Sequence, residues 1–240
     1  MSHKIFKSVL PETHLDIPMP EGTKLSPIGM KYIPTPWDAG VLSDSELIKL
    51  YEQNEGIPLS PFFIQQRSER HLPSFGLGSC TYDIRLGFEF RSYIDFSATE
   101  DQARDYTNAI DLANPDTLLT EQIMVPYNEY FDLSPGAFIL AKAMEYFKLP
   151  RNVMAIVSDK STWARCGLTV QNTVVDPGFE GDLTLELANH NFRPIRLYPG
   201  CGIAQVHFHR VLGDVNVSYG DRKAGKGGKY QHQSGTVGPR

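Results

Sequence analysis

The sequence predicts a mainly β domain, a distorted barrel or jelly roll with a few short helices. Seventeen prolines and twenty glycines punctuate the chain. Between them lie short runs rich in β-branched and aromatic residues, and long helical patterns are scarce. Apolar residues make up 41% and charged residues 21%, an ordinary balance for a globular protein. At 240 residues the chain suits one domain with extensions and a sizeable core.

Residues 1–39 are Pro-rich and weakly periodic, and are expected to form an extended arm on the surface or on a neighbouring subunit. A helix follows at 44–53, with Ser43 as its cap, Glu46 completing a capping box, and Leu47, Ile48 and Leu50 on its apolar side. Strands are expected at 81–86 and 88–93. The stretch 91–130 is acidic and polar and looks like an insertion, with a charged helix at 99–106. Further strands are expected at 137–143, 153–158, 168–171, 182–188 and 203–210, with turns at Ser134-Pro135-Gly136 and Asp176-Pro177-Gly178. Residues 40–218 then form the β domain. Residues 219–240 form a tail in which Arg222, Lys223, Lys226, Lys229 and Arg240 outnumber Asp221. No internal repeat is visible.

Composition also removes several function classes. There is no run of apolar residues long enough to span a bilayer and no secretory signal pattern, so neither a membrane partner nor export is expected. Cys80, Cys166 and Cys201 are odd in number and widely spaced, which suits a reducing, cytoplasmic setting rather than a disulfide framework. A net charge of −5 gives no reason to expect nucleic-acid binding.

Residues 158–189, SDKSTWARCGLTVQNTVVDPGFEGDLTLELAN, concentrate the chemistry. Lys160, Ser161, Thr162 and Arg165 suit an anion such as a triphosphate. In Leu183-Thr184-Leu185-Glu186-Leu187-Ala188 the leucines share one face of a strand. Glu186 projects from the other face beside Thr184, where a carboxylate must be solvated, paired or used.

The segment resembles the dCTP deaminase family, a zinc-independent branch of the dUTPase-like superfamily. The matching motifs are KSTWARCG (160–167), DPGFEG (176–181), LTLELAN (183–189) and GIAQVHF (202–208). GVLSD (40–44), SCTYDIRLG (79–87), PGAFILAKAMEYFKLP (135–150) and GKYQHQSG (228–235) extend the likeness over about 40–240 in pieces. The resemblance implies hydrolytic deamination of dCTP to dUTP and ammonia, with Mg²⁺ carried by the triphosphate and a homotrimer whose sites lie between subunits.

The resemblance also implies roles. Glu186 is the proton shuttle that activates water for attack on C4, helped by a pKa raised by burial. Arg165 orients the water or the surroundings of the exocyclic amine, and Ser161 positions the attacked group. Lys160 and Thr162 are phosphate contacts, with Ala164 beside them in the substrate-binding set. Thr184 and Leu185 contact the base through their backbone, and Thr173 lines the pyrimidine and sugar. Asp176 touches the deoxyribose 3′-hydroxyl; its bland reading is an Asx-turn residue holding the loop. Tyr219, Lys229 and Gln233 belong to a tail that closes over phosphate and base.

Two features depart from the family pattern. Trp163 stands where an aliphatic residue is usual and reads as packing. The interval Cys166–Val175 is shorter than in better-known members, which leaves 5-substituted or less phosphorylated cytosine nucleotides open as substrates. Zinc deaminases carry a His/Cys-x-Glu motif and a Pro-Cys-x-x-Cys motif, and neither occurs here. His207 and His209 share a strand face and read as packed strand histidines. A dUTP diphosphatase on the same fold would have an apolar residue at position 186 and a Phe-Gly-Ser type tail, whereas this tail reads KYQHQSGTVGPR. A bifunctional enzyme releasing dUMP stays open. A non-catalytic nucleotide-binding regulator would need neither Glu186 nor Arg165.

Overall fold

The computed structural model describes residues 39–52, 58–93, 110–113, 120–212, 215–222 and 228–239. In chain order the elements are β1 (Gly40–Val41), α1 (Asp44–Glu52), β2 (Leu59–Ser60), β3 (Gly76–Leu77), β4 (Tyr82–Tyr93) and β5 (Thr120–Met124). Next come β6 (Phe131–Leu133), β7 (Phe138–Lys148), β8 (Val153–Asp159), α2 (Ser161–Ala164) and β9 (Leu168–Val170). The remainder are β10 (Val174–Val175), β11 (Glu180–Asn189), β12 (Ile195–Leu197), β13 (Gly202–Arg210) and a 3₁₀ turn at Tyr219–Asp221.

Long strands organise the sheet. β4 pairs with β13 through its first residues and with β7 and β5 through its later ones, so one strand joins two halves of a curled sheet. The main strand order is β10-β8-β13-β4-β7-β11-β9, with β1, β2, β3 and β5 attached at its sides and β6–β12 as a separate pair. The curl is made at irregular points. The β4–β7 register shifts between Leu86 and Phe90, and a Cβ on Gly87 would lie 2.6 Å from the Lys142 carbonyl oxygen. Only glycine lets the two backbones approach so closely there.

Alternation fills the interior. Tyr82, Ile84, Leu86 and Phe90 of β4 meet Ala141, Ala143 and Phe147 of β7, Leu185 and Leu187 of β11, and Val206 and Phe208 of β13. Each large apolar side chain buried in this way contributes roughly 1.5–3 kcal/mol. Helix α1 closes one edge with Leu47 and Leu50. Ser43 Oγ accepts the Glu46 amide at 3.4 Å, as a cap should. The Glu46 carboxylate, expected to complete the box, is instead engaged by Lys49 (2.6 Å) and Arg210 (3.6 Å).

Each expected strand is present, with altered limits. The pair 81–86 and 88–93 is one continuous strand. The strand expected at 137–143 runs on to Lys148, because inward-facing Glu145 interrupts the apolar alternation without interrupting the strand. Glu145 is fully buried and accepts both the amide (2.8 Å) and Nε (2.8 Å) of Arg85. The Arg85 guanidinium also lies over Phe63 (4.8 Å) and Phe75 (5.1 Å). Strand β5 forms inside the stretch read as an insertion, pairing Thr120–Met124 with Tyr93–Glu89. The expected arm at 1–39, apart from Ala39, and the expected helix at 99–106 lie outside the described residues. Among the described residues no helix is long and apolar enough to cross a membrane.

The Arg85–Glu145 pair yields a stability prediction. Arg85→Met is expected to cost about 3–5 kcal/mol in urea denaturation, because it strands a buried carboxylate. Arg85→Met combined with Glu145→Met is expected to recover most of that loss.

Candidate active site

Strand β11 places the acidic side chain through its period of two. Leu183, Leu185 and Leu187 are buried, whereas Thr184 and Glu186 are half-buried on the opposite face. Glu186 stands opposite Leu140 of β7, and Thr184 opposite Lys142. On the other side the Glu186 carbonyl accepts the Gln171 amide at 2.9 Å.

A cavity of about 400 Å³ opens over this face. Tyr93 of β4, Phe138 and Leu140 of β7, and Leu183, Thr184 and Glu186 of β11 form part of its wall. The 173–179 turn adds Thr173, Val174, Val175, Asp176 and Phe179, and the later segments add Tyr219, Tyr230, Gln233, Val237 and Pro239. Apolar and aromatic groups dominate, and none of these lining side chains is cationic. Such a lining raises the weight of each polar group within it.

Glu186 is the acidic group that this environment perturbs. Burial pushes its carboxyl above the usual carboxylate range, against a weaker opposing hydrogen bond from its own backbone. Its Oε2 is buried and has no hydrogen-bond partner among the described residues. Tyr93 is also pushed up, first by burial and then by the nearby Tyr230 and Glu186 charges. A buried carboxyl with a free oxygen in an apolar cavity is equipped to take up and return a proton.

The turn after β10 carries the second acid. The Asp176 carbonyl accepts the Phe179 amide at 3.1 Å, and its carboxylate pairs with Arg222 at 2.5 Å. Pro177 O accepts the Tyr219 amide (2.8 Å), the Tyr219 ring meets Phe179 edge-on at 5.7 Å, and its hydroxyl accepts the Tyr230 amide (2.9 Å). Tyr219 thus buttresses segment 228–239 while lining the cavity. Gln233 is buried at the cavity wall, where its side-chain amide donates to Asp182 O (2.5 Å) and its own carbonyl accepts the Asp182 amide (3.0 Å).

The structure gathers Glu186, Thr184, Thr173, Asp176, Tyr219 and Gln233 at one cavity. Ser161, Thr162, Ala164 and Arg165 are exposed on α2 and at its end, and none of them lines that cavity. Lys160 is buried and its ammonium is paired with Asp83. Leu185 is buried in the core, so its side chain does not reach the cavity, and Lys229 is exposed. Trp163 anchors α2 as a packing residue, donating Nε1–H to Gly202 O at 2.7 Å. The wall residues Tyr93, Phe138, Leu140, Tyr230, Val237 and Pro239 escaped the sequence reading. Each is an ordinary strand or tail residue until the neighbours of β11 are known.

Other polar clusters are sparse. Among the described residues no group of three or more His, Cys, Asp or Glu side chains gathers where it could hold a metal ion. Cys80, Cys166 and Cys201 are free, and burial pushes the Cys201 thiol up to about 12.

Comparison with known proteins now bears on this geometry. A family model described as dCTP deaminase-like matches residues 41–211. The chain belongs to the dCTP deaminase-like family. A dCTP deaminase of Helicobacter hepaticus is 36% identical over 201 residues, covering 84% of this chain and 98% of the relative. That of Campylobacter hominis is 40% identical over 169 residues, covering 70% and 80%. Among solved structures, the 2′-deoxycytidine 5′-triphosphate deaminase of Agrobacterium tumefaciens matches with a TM-score of 0.48 and 18% identity over 72% of this chain. This chain spans 49% of that longer one.

The Glu186 environment sets a sign for stability. Its folded pKa is raised, so its contribution is full below the ordinary carboxylate range and is lost as pH rises through the raised value. Glu186→Gln is therefore expected to melt no lower than the parent protein near neutral pH. The difference should vanish below about pH 4, where both side chains are neutral. Melting curves across pH check this.

Proposed function

We propose that the protein hydrolyses dCTP to dUTP and ammonia, with Glu186 as the proton shuttle. The carrying observation is the half-buried Glu186 carboxyl, raised by burial and unpartnered at Oε2, in the wall of a cavity large enough for a base and sugar. The names of the relatives above support the same reaction.

In this reading ionised Glu186 takes a proton from water as the oxygen attacks C4. The proton passes to N3, and Glu186 then takes the proton of the new C4 hydroxyl and delivers it to the exocyclic nitrogen. The C4–N bond then breaks, ammonia leaves, and the C4 oxygen becomes the uracil carbonyl with Glu186 returned to its starting state. The apolar wall of Phe138, Leu140 and Val175 excludes bulk water and strengthens the polar contacts made at C4. In this reading the sugar lies by Thr173 and Asp176 of the 173–179 turn, and Tyr219, packed beside that turn, and Gln233 complete the cavity wall. A Mg²⁺ ion bound with the triphosphate would neutralise its charge and would need few direct protein ligands.

A single chain leaves this assignment incomplete, since Arg165, Ser161 and Thr162 are exposed away from the cavity. A homotrimer with sites between subunits supplies them from a neighbour's α2 to the cavity of the next chain. Lys160 then acts indirectly: its ion pair with Asp83 and the Trp163 anchor hold α2 in place. Asp176 at the same cavity favours one second reading, further hydrolysis of dUTP to dUMP.

Chromatography after incubation with Mg²⁺ and dCTP tests the reaction. dUTP and ammonia are expected, dUMP would indicate the second reading, and an unchanged nucleotide would overturn both. Glu186→Gln and Arg165→Ala are each expected to be inactive while still binding nucleotide. Refolding the two variants together is expected to restore turnover at about one quarter of sites if each site joins two subunits. No restoration would place both residues in one chain's site.

A further inference from the structure

Segment 228–239 is fastened across the cavity by side chains of the strands beneath it, and the bonds fall on three successive amides. Gly235 N–H donates to Asp182 Oδ2 at 2.8 Å, Thr236 N–H to Glu89 Oε1 at 2.9 Å, and Val237 N–H to Thr184 Oγ1 at 3.2 Å. Thr236 Oγ1 adds a bond to the Glu89 carbonyl at 3.1 Å. Lys142 Nζ, 2.7 Å from Asp182 Oδ2, orients the acceptor of the Gly235 amide. Glycine is required at the crossing point. Gly235 has φ +75°, and a Cβ on it would lie 2.9 Å from the Glu89 carboxylate. Just beyond, Val237 and Pro239 join the cavity wall that contains Glu186.

We propose that Glu89, with Asp182 as a second anchor, is a positioning residue that latches residues 235–239 over the bound nucleotide; this rests on reading the cavity as the nucleotide site. Glu89 is not among the cavity-lining residues, so it acts through Thr236 and Val237 rather than on the substrate. Carboxylate acceptors make these bonds stronger than neutral ones. Because the acceptors of these three amides are side chains, rotation of Glu89, Asp182 and Thr184, with release of the single Thr236 hydroxyl bond to the Glu89 carbonyl, frees residues 235–239 without separating any strand from the sheet.

Hydrogen exchange on the full chain tests the latch without nucleotide. In Glu89→Ala the amides of Thr236 and Val237 are expected to exchange at least ~10-fold faster, since a hydrogen bond to a charged acceptor is lost. Amides of β8 and the melting midpoint should not change. Glu89→Gln keeps an acceptor oxygen and is expected to show a smaller increase. Thr236→Val, which leaves the barrel untouched, is expected to raise the exchange roughly 3-fold. With dCTP, Glu89→Ala should raise KM while leaving kcat within about 2-fold, as for a lost uniform binding contribution. Equal exchange at Thr236 in the parent, Glu89→Ala and Thr236→Val would overturn the latch. Failure of the parent protein to turn over dCTP would overturn the functional reading alone, because the exchange result does not depend on the substrate.

Discussion

Everything in the site depends on the two-residue period of β11. Burial of Leu183, Leu185 and Leu187 decides which face of that strand is inward, and a slip of one residue would send the leucines to the cavity and Glu186 to the core. The hydrophobic core and the candidate proton shuttle are therefore specified by the same pairing with β7. The register irregularity between Asp182 and Thr184 lets Leu183 reach both the core and the cavity wall. It also leaves Asp182 turned toward Lys142 and the 228–239 segment.

Buried polar groups in this protein divide into two kinds. Glu145 and Asp83 are deep, and although burial still raises the Glu145 carboxyl and leaves Asp83 Oδ1 without a hydrogen bond, each faces a counter-charge, Arg85 and Lys160, and serves the scaffold. Among the described residues Glu186 has no such partner. Its burial is compensated neither by a cation nor by a hydrogen bond to Oε2, and the result is a carboxyl displaced from its ordinary range. Uncompensated burial costs stability, and in a cavity of this size it fits chemistry better than structure.

Segment 228–239 shows how the fold closes the cavity without adding a strand. The Glu180 carbonyl accepts the His232 amide at 2.7 Å, Gln233 exchanges backbone and side-chain bonds with Asp182, and the amides of Gly235, Thr236 and Val237 go to side chains. The bonding passes from backbone acceptors to side-chain acceptors along the segment. The end of the segment that carries Val237 and Pro239 into the cavity wall is consequently held mainly by rotatable groups.

The sequence by itself determined the β class, the strands with clean alternation, the leucine face of β11 and the singular position of Glu186. These rest on local periodicity, which is legible within a few residues. Strand β5 and the full length of β7 were not legible, because β5 follows a polar stretch and Glu145 breaks the apolar pattern while its counter-charge lies on another strand. Tertiary structure alone decided that Tyr93, Phe138 and Leu140 would wall the cavity. It also decided that Lys160 would be taken up by Asp83 rather than left for an anion, and that exposed Arg165 and Ser161 would not line the cavity that holds Glu186 within one chain. The physical reason is common to all three. A side chain's partners across a sheet are set by strand order and curl, which join residues far apart in sequence, whereas periodicity reports only which face a residue occupies.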